Sequence, residues 1–175
     1  MKKILFAIAA LLVSYTAQPI SAAPIATDTY YSFGFDGVGS ALDGNDPHTS
    51  CTNPACVVAP GAVWDITLTS SSILTVLDLF LVGDQFEIFD GISSLGVTSI
   101  PGTSGSCGSD WTCALNDPNY SVGTFLLGPG TYSLSGTVAA SPFGGGAGAF
   151  HIVAVPLPAT LPLLAGALLL GGMLR

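Results

Sequence analysis

Trp64-Asp65-Ile66-Thr67-Leu68-Thr69 decides the fold. Trp64, Ile66 and Leu68 alternate with Asp65, Thr67 and Thr69, the period of two that sends neighbouring side chains to opposite faces of a strand. Ser70-Ser71-Ser72 reads as a turn, and Ile73 to Leu81 as a longer β-branched, apolar run interrupted by Asp78. Gly83-Asp84 turns the chain into Gln85-Phe86-Glu87-Ile88-Phe89-Asp90, where Phe86 and Ile88 face one way and Glu87 the other.

The same pattern extends in both directions. Upstream, Tyr31, Phe33 and Phe35 alternate with Ser32 and Gly34 and predict a half-buried strand. Residues 36–61 are rich in Gly, Asn, Asp, Pro and Ser and read as one long loop. Downstream, Leu95, Val97 and Ser99 continue the meander, and 101–118 form a second loop region. Val122 to Leu127 is a strand, Gly128-Pro129-Gly130 a turn, and Tyr132, Leu134 and Val138 lie on the next strand. Ser141-Pro142-Phe143-Gly144-Gly145-Gly146 connects to a last strand, Ala149 to Val155. Short strands separated by turn residues predict an all-β domain, an antiparallel β-sandwich or jelly-roll-like ectodomain, over residues 23–154. No helix is expected inside it.

Both ends differ from this body. Lys2 and Lys3 precede an apolar run from Ile4 to Val13, and Ile20-Ser21-Ala22-Ala23 offers small residues for cleavage. Residues 1–22 therefore read as a secretory signal peptide, an N-terminal helix cut after Ala22. At the other end, Leu161 to Leu174 contains only Leu, Ala, Gly, Met and Pro and ends on Arg175. Counted from Leu157 this hydrophobic helix has about 18 residues, the lower edge of what crosses a bilayer. No Lys or Arg lies between Lys3 and Arg175. Cations pin segments to the cytoplasm, so everything between the two ends is free to translocate.

Removing both ends leaves about 130 residues, one domain able to bury roughly two-thirds of its unfolded surface. All 11 carboxylates of the chain fall there, with no Lys or Arg to oppose them. That balance excludes nucleic acid as a partner, since phosphate contacts need Lys and Arg. Cys51, Cys56, Cys107 and Cys113 make an even set in an exported chain. They read as two local disulfides, Cys51 with Cys56 and Cys107 with Cys113. A zinc site using Cys51, Cys56 and nearby His48 is the rival reading.

Val155-Pro156-Leu157-Pro158-Ala159, followed by the apolar run and the terminal Arg175, resembles the VPLPA variant of the PEP-CTERM sorting signal. The resemblance covers residues 155–175 and departs from the usual pattern in ending on a single Arg. It implies recognition by an exosortase, a membrane-embedded cysteine transpeptidase, with cleavage near the proline motif. It also implies transient residence in the inner membrane and then the cell surface or biofilm matrix of a Gram-negative bacterium, with exopolysaccharide as a companion. Gly83 to Asp90, Asp117 to Ser121 and Ser141 to Gly146 look like a recurring ectodomain of such proteins, which lends a compact β domain and no activity.

Chemistry-bearing groups are few. Glu87 lies near Asp84 and Asp90, but strand geometry sends Glu87 to the opposite face, which does not suit a glycosidase pair. The three then read as solvated strand edges and turn residues. His48 and His151 lack a Gly-x-Ser-x-Gly elbow, and His151 is expected on a polar face. Gly144 to Gly148 has no following Lys-Ser/Thr, so it is no phosphate cradle. Asp36, Asp43, Asn45 and Asp46 concentrate oxygen ligands in one loop and form a candidate calcium site, although Asp and Asn are also common turn formers. Trp64 reads as core, and Trp111, inside the second cysteine-bounded loop, as a candidate surface platform for a sugar ring. Asn119-Tyr120-Ser121 is a formal glycosylation sequon. The expectation is a non-enzymatic exported surface or matrix protein, the alternative a secreted carbohydrate- or calcium-binding module.

Overall fold

A computed structural model describes residues 23–50 and 56–156. The expected signal peptide, Cys51, and the segment from Leu157 to Arg175 lie outside the described residues, and so does most of the expected sorting motif. Among the described residues no helix is long and apolar enough to cross a membrane.

The strands are β1 (Ala23–Pro24), β2 (Tyr30–Phe35), β3 (Val57–Val58), β4 (Val63–Leu68), β5 (Ser72–Asp78) and β6 (Phe80–Leu81). They continue with β7 (Gln85–Asp90), β8 (Ser93–Val97), β9 (Ser106–Gly108), β10 (Val122–Leu127), β11 (Gly130–Ala140) and β12 (Gly146–Ala154). One five-stranded sheet has the order β1-β4-β11-β7-β8, a second β10-β5-β12-β2-β3, and β6 pairs with β9. All pairings are antiparallel except the short edges β1 with β4 and β2 with β3. The chain is a β-sandwich, as its alternation predicts.

The core is aromatic. Trp64 and Phe86 of the first sheet meet Phe33 and Phe150 of the second, with Trp64 and Phe150 stacked at 4.3 Å and Phe33 edge-on to Phe86 at 5.3 Å. Offset and edge-to-face contacts of this kind add to the area that these rings remove from water. Trp64 also donates its indole N–H to the Gly61 carbonyl at 2.7 Å, so its ring is buried with its one polar atom paired.

Several expectations need correction. β2 is buried along almost its whole length rather than on one face. Its outer side is covered by the returning loop, so closely that a Cβ on Gly34 would lie 2.6 Å from Asp46 Oδ1 and 2.7 Å from the Thr49 nitrogen. That loop is itself tied in, since Asp43 forms a bridge with Gly34 and Ala41 one with Thr137. Ser72 begins β5 instead of closing the turn, and β12 runs from Gly146 to Ala154. The second loop region contains a helix, α1 (Trp111–Asn116), capped by the Asp110 carboxylate on the Cys113 N–H. Six residues carry too little periodicity to be read from sequence.

α1 explains why β5 reads as a continuous apolar run. Leu74 and Val76 enter the central core, whereas Leu77 joins Leu79, Val82, Trp111, Ala114, Tyr120 and Ala149 in a second cluster. The outer face of the second sheet is therefore partly a second small core.

Candidate functional site

Cys107 and Cys113 are disulfide-bonded, as expected, with their Cα atoms 5.6 Å apart. Cys56 is also disulfide-bonded, and its expected partner Cys51 lies outside the described residues. Cysteines held in disulfides offer no thiolate, so the zinc reading for Cys56 is set aside. The bond ties β9 to α1, the helix that carries Trp111.

Trp111 is only 6% exposed, which overturns its reading as a surface platform. Its ring lies 3.9 Å from that of Tyr30 and 5.6 Å from that of His151. His151, expected on a polar face, is half-buried in this stack, and desolvation lowers its pKa below the ordinary value. The sequon is folded in as well: Asn119 donates to Asp117 Oδ1 at 2.8 Å, and Ser121 is fully buried.

The expected calcium set divides. Asp36 and Asp46 come together with His48, their ligand atoms all within 4.8 Å. His48 Nδ1 is 2.9 Å from Asp46 Oδ1 and 4.0 Å from Asp36 Oδ1. Asp43 instead accepts the Asn45 N–H at 2.8 Å, closing an Asx turn. An imidazole nitrogen in the cluster suits calcium poorly, since that ion takes oxygen ligands.

Two surfaces that the sequence did not single out are better built. The first is the outer face of the sheet containing β4, β11, β7 and β8. Register sets Asp65 opposite Ser133, Thr67 opposite Thr131, Ser135 opposite Phe89, and Phe89 opposite Ser94. Phe86 and Ile88 point into the core, so Glu87 and Phe89 point out, as strand alternation requires. Ser94 donates to Glu87 Oε1 at 2.7 Å, and the Thr67 and Thr131 hydroxyls lie 3.2 Å apart. A groove of about 620 Å³ crosses the β1 side of this sheet, lined among others by Pro24, Asp65, Thr67, Asp90, Thr131 and Ser133. Hydroxyls and carboxylates share the face with the half-buried ring of Phe89 and with Val63 and Val97, which the register sets opposite Ser135 and Glu87. Phe89 was legible as an outward strand residue, and only the register shows that hydroxyls flank it.

The second surface surrounds two carboxyls: Asp84, expected at a solvated turn, and Asp78, which interrupts the apolar run of β5. Asp78 is fully buried and Asp84 is 5% exposed. Asp78 Oδ2 accepts the N–H groups of Gly83 and Asp84 at 3.3 and 3.2 Å. Burial first, then the negative charge of Asp84, pushes the pKa of Asp78 up to about 8. Burial also raises the pKa of Asp84, against the opposing hydrogen bonds of Ser141 and Asp78. Burial thus favours the neutral carboxyl form at both positions. Beside it, Phe80 has φ 66°, a conformation that bulky side chains rarely adopt. The Tyr120 hydroxyl donates to the Phe80 carbonyl and accepts the Cys107 N–H, which holds the strained backbone in place.

Comparison with family models and with curated proteins finds no match. Among solved structures, the chain is similar to the pre-peptidase C-terminal domain of a collagenase from Bacillus anthracis. The identity is 16%, with 77% of this chain and 97% of that one covered and a TM-score of 0.41. It is also similar to a β-1,3-glucan-binding CBM6 from Bacillus halodurans, at 16% identity, 70% and 76% coverage, and a TM-score of 0.39. At this distance no residue's role passes from those chains to this one.

Proposed function

We propose that this chain is an exported, non-enzymatic surface or matrix protein whose sandwich holds a neutral polysaccharide across the outer face of β4, β11, β7 and β8. The observation that supports the reading is the composition of that face: Asp65, Thr67, Thr131 and Ser133 along the groove, and Ser135 and Ser94 on either side of Phe89, with no Lys or Arg. Sugars present hydroxyls that hydrogen-bond to carboxylates and hydroxyls, and apolar C–H faces that pack on an aromatic ring. An acidic polysaccharide would meet only like charge there.

Delivery is the other half of the proposal. The signal peptide carries the chain across the inner membrane, and an exosortase then cuts near Val155-Pro156-Leu157-Pro158-Ala159 and releases the domain to the surface or matrix.

Affinity electrophoresis of the purified protein in gels containing dextran, laminarin or alginate tests the binding half. Retardation is expected in at least one neutral glucan and not in alginate. Phe89→Ala should weaken that retention about tenfold, which corresponds to about 1.4 kcal/mol. Migration unaffected by every neutral glucan, or unaffected by the loss of Phe89, refutes it.

A further inference from the structure

The buried Asp84 lies at the wall of a cavity of about 240 Å³ whose other walls include His48, Leu79, Phe80, Leu81 and Phe143. Leu81 and Phe143 are 51% and 65% exposed and form an apolar rim. The floor is the glycine pair 145–146. A Cβ on Gly145 would lie 2.8 Å from His48 Cε1, and one on Gly146 would lie 3.1 Å from Asp84 Oδ2 and 2.7 Å from Phe35 Cζ. Any side chain there would fill the floor, so two glycines keep the backbone close to the carboxyl. Asp84 Oδ1 and Asp78 Oδ1 are buried with no hydrogen-bond partner. A buried carboxylate oxygen without a donor is costly, and a donor arriving from outside removes that cost.

The chain offers no Lys or Arg between Lys3 and Arg175 to face these carboxyls. Asp36 and Asp46, beside His48, add negative potential near the mouth. We infer that this cavity is a binding site for a primary ammonium on a short aliphatic stem, the stem lying against Leu79, Leu81 and Phe143 and the ammonium donating to Asp84. Free alkylamines and lysine side chains of a partner share that chemistry. A bare divalent ion does not fit, because most of the walls are apolar and supply no oxygen. An ammonium beside the two carboxyls favours their charged forms, which burial disfavours, so binding is expected to displace protons to solvent.

The test is calorimetric titration of the full-length protein with n-pentylammonium, with n-pentanol, with a capped lysyl peptide and with calcium alone. Saturable binding of the amine or of the peptide is expected, and the tighter of the two identifies the source. Asp84→Asn should weaken it at least tenfold. Phe143→Ala, at an exposed rim position that leaves the core intact, should weaken it about threefold. Proton release, read as a dependence of the heat on buffer ionisation enthalpy, should accompany binding. No saturable amine or peptide binding, equal binding of pentanol, calcium binding alone, or unchanged affinity in both variants overturns the inference. Phe89→Ala should leave amine binding untouched, which separates this site from the polysaccharide face.

Discussion

Asp78 occupies a position where a strand of this pattern would carry an apolar residue, and the fold has buried it completely. Its pKa rises from 3.8 to about 8, chiefly by burial, so the folded state binds a proton that the unfolded chain has lost across that interval. The sign follows from linkage: stability is greatest at the acidic end of the window and falls as pH rises towards 8, by up to about 1.4 kcal/mol per pH unit for a single group. Asp84 and the Tyr120 hydroxyl are the other titrating groups that face Asp78. Asp78→Asn keeps the acceptor for the Gly83 and Asp84 N–H groups and needs no proton. Thermal unfolding between pH 5 and 8 should therefore show a clearly smaller loss of Tm in this variant, and an undiminished loss would assign the slope elsewhere. Gly34 makes a steric prediction. Adding a methyl group there drives it against the Thr49 backbone nitrogen, which cannot rotate away. Gly34→Ala should cost about 1–3 kcal/mol in chemical denaturation, and a neutral result would show that the covering loop yields.

At the level of elements, α1 and its disulfide act as a lid over the outer face of the second sheet. Cys107 and Cys113 are 6 residues apart, and closing a loop that short removes about 2 kcal/mol of unfolded-state entropy in the chain-entropy model. The double substitution Cys107→Ser, Cys113→Ser should lower stability by that order. It should also red-shift the fluorescence of Trp111, whose ring leaves its stack with Tyr30 and His151. A variant with unchanged emission would mean that Trp111 holds its place by packing alone. β4 and β7 were legible because each has one dry and one wet face, which writes a period of two into the sequence. β2 and β5 hid their second partner. A strand covered on both faces loses the alternation, and what covers it, the loop from Asp36 to Ser50 and α1, is distant in sequence.

For the whole molecule, the proposed export rests on a body without Lys or Arg between Lys3 and Arg175. Intact-mass analysis of protein recovered from the cell surface should give a chain that starts at Ala23 and lacks Leu161 to Arg175; recovery of the uncut tail would refute exosortase release. Local sequence by itself determined the β class, the strand faces of β4 and β7, the Cys107–Cys113 bond and the export expectation. Each of these depends on residues close together in the chain or on composition summed along it. Only the tertiary structure decided that Trp111 is buried, that Asp78 and Asp84 are buried, and that Phe89 lies between two serines. Those properties belong to neighbours supplied by other strands: a tryptophan carries no mark of what will cover it, and a carboxylate no mark of whether water will reach it.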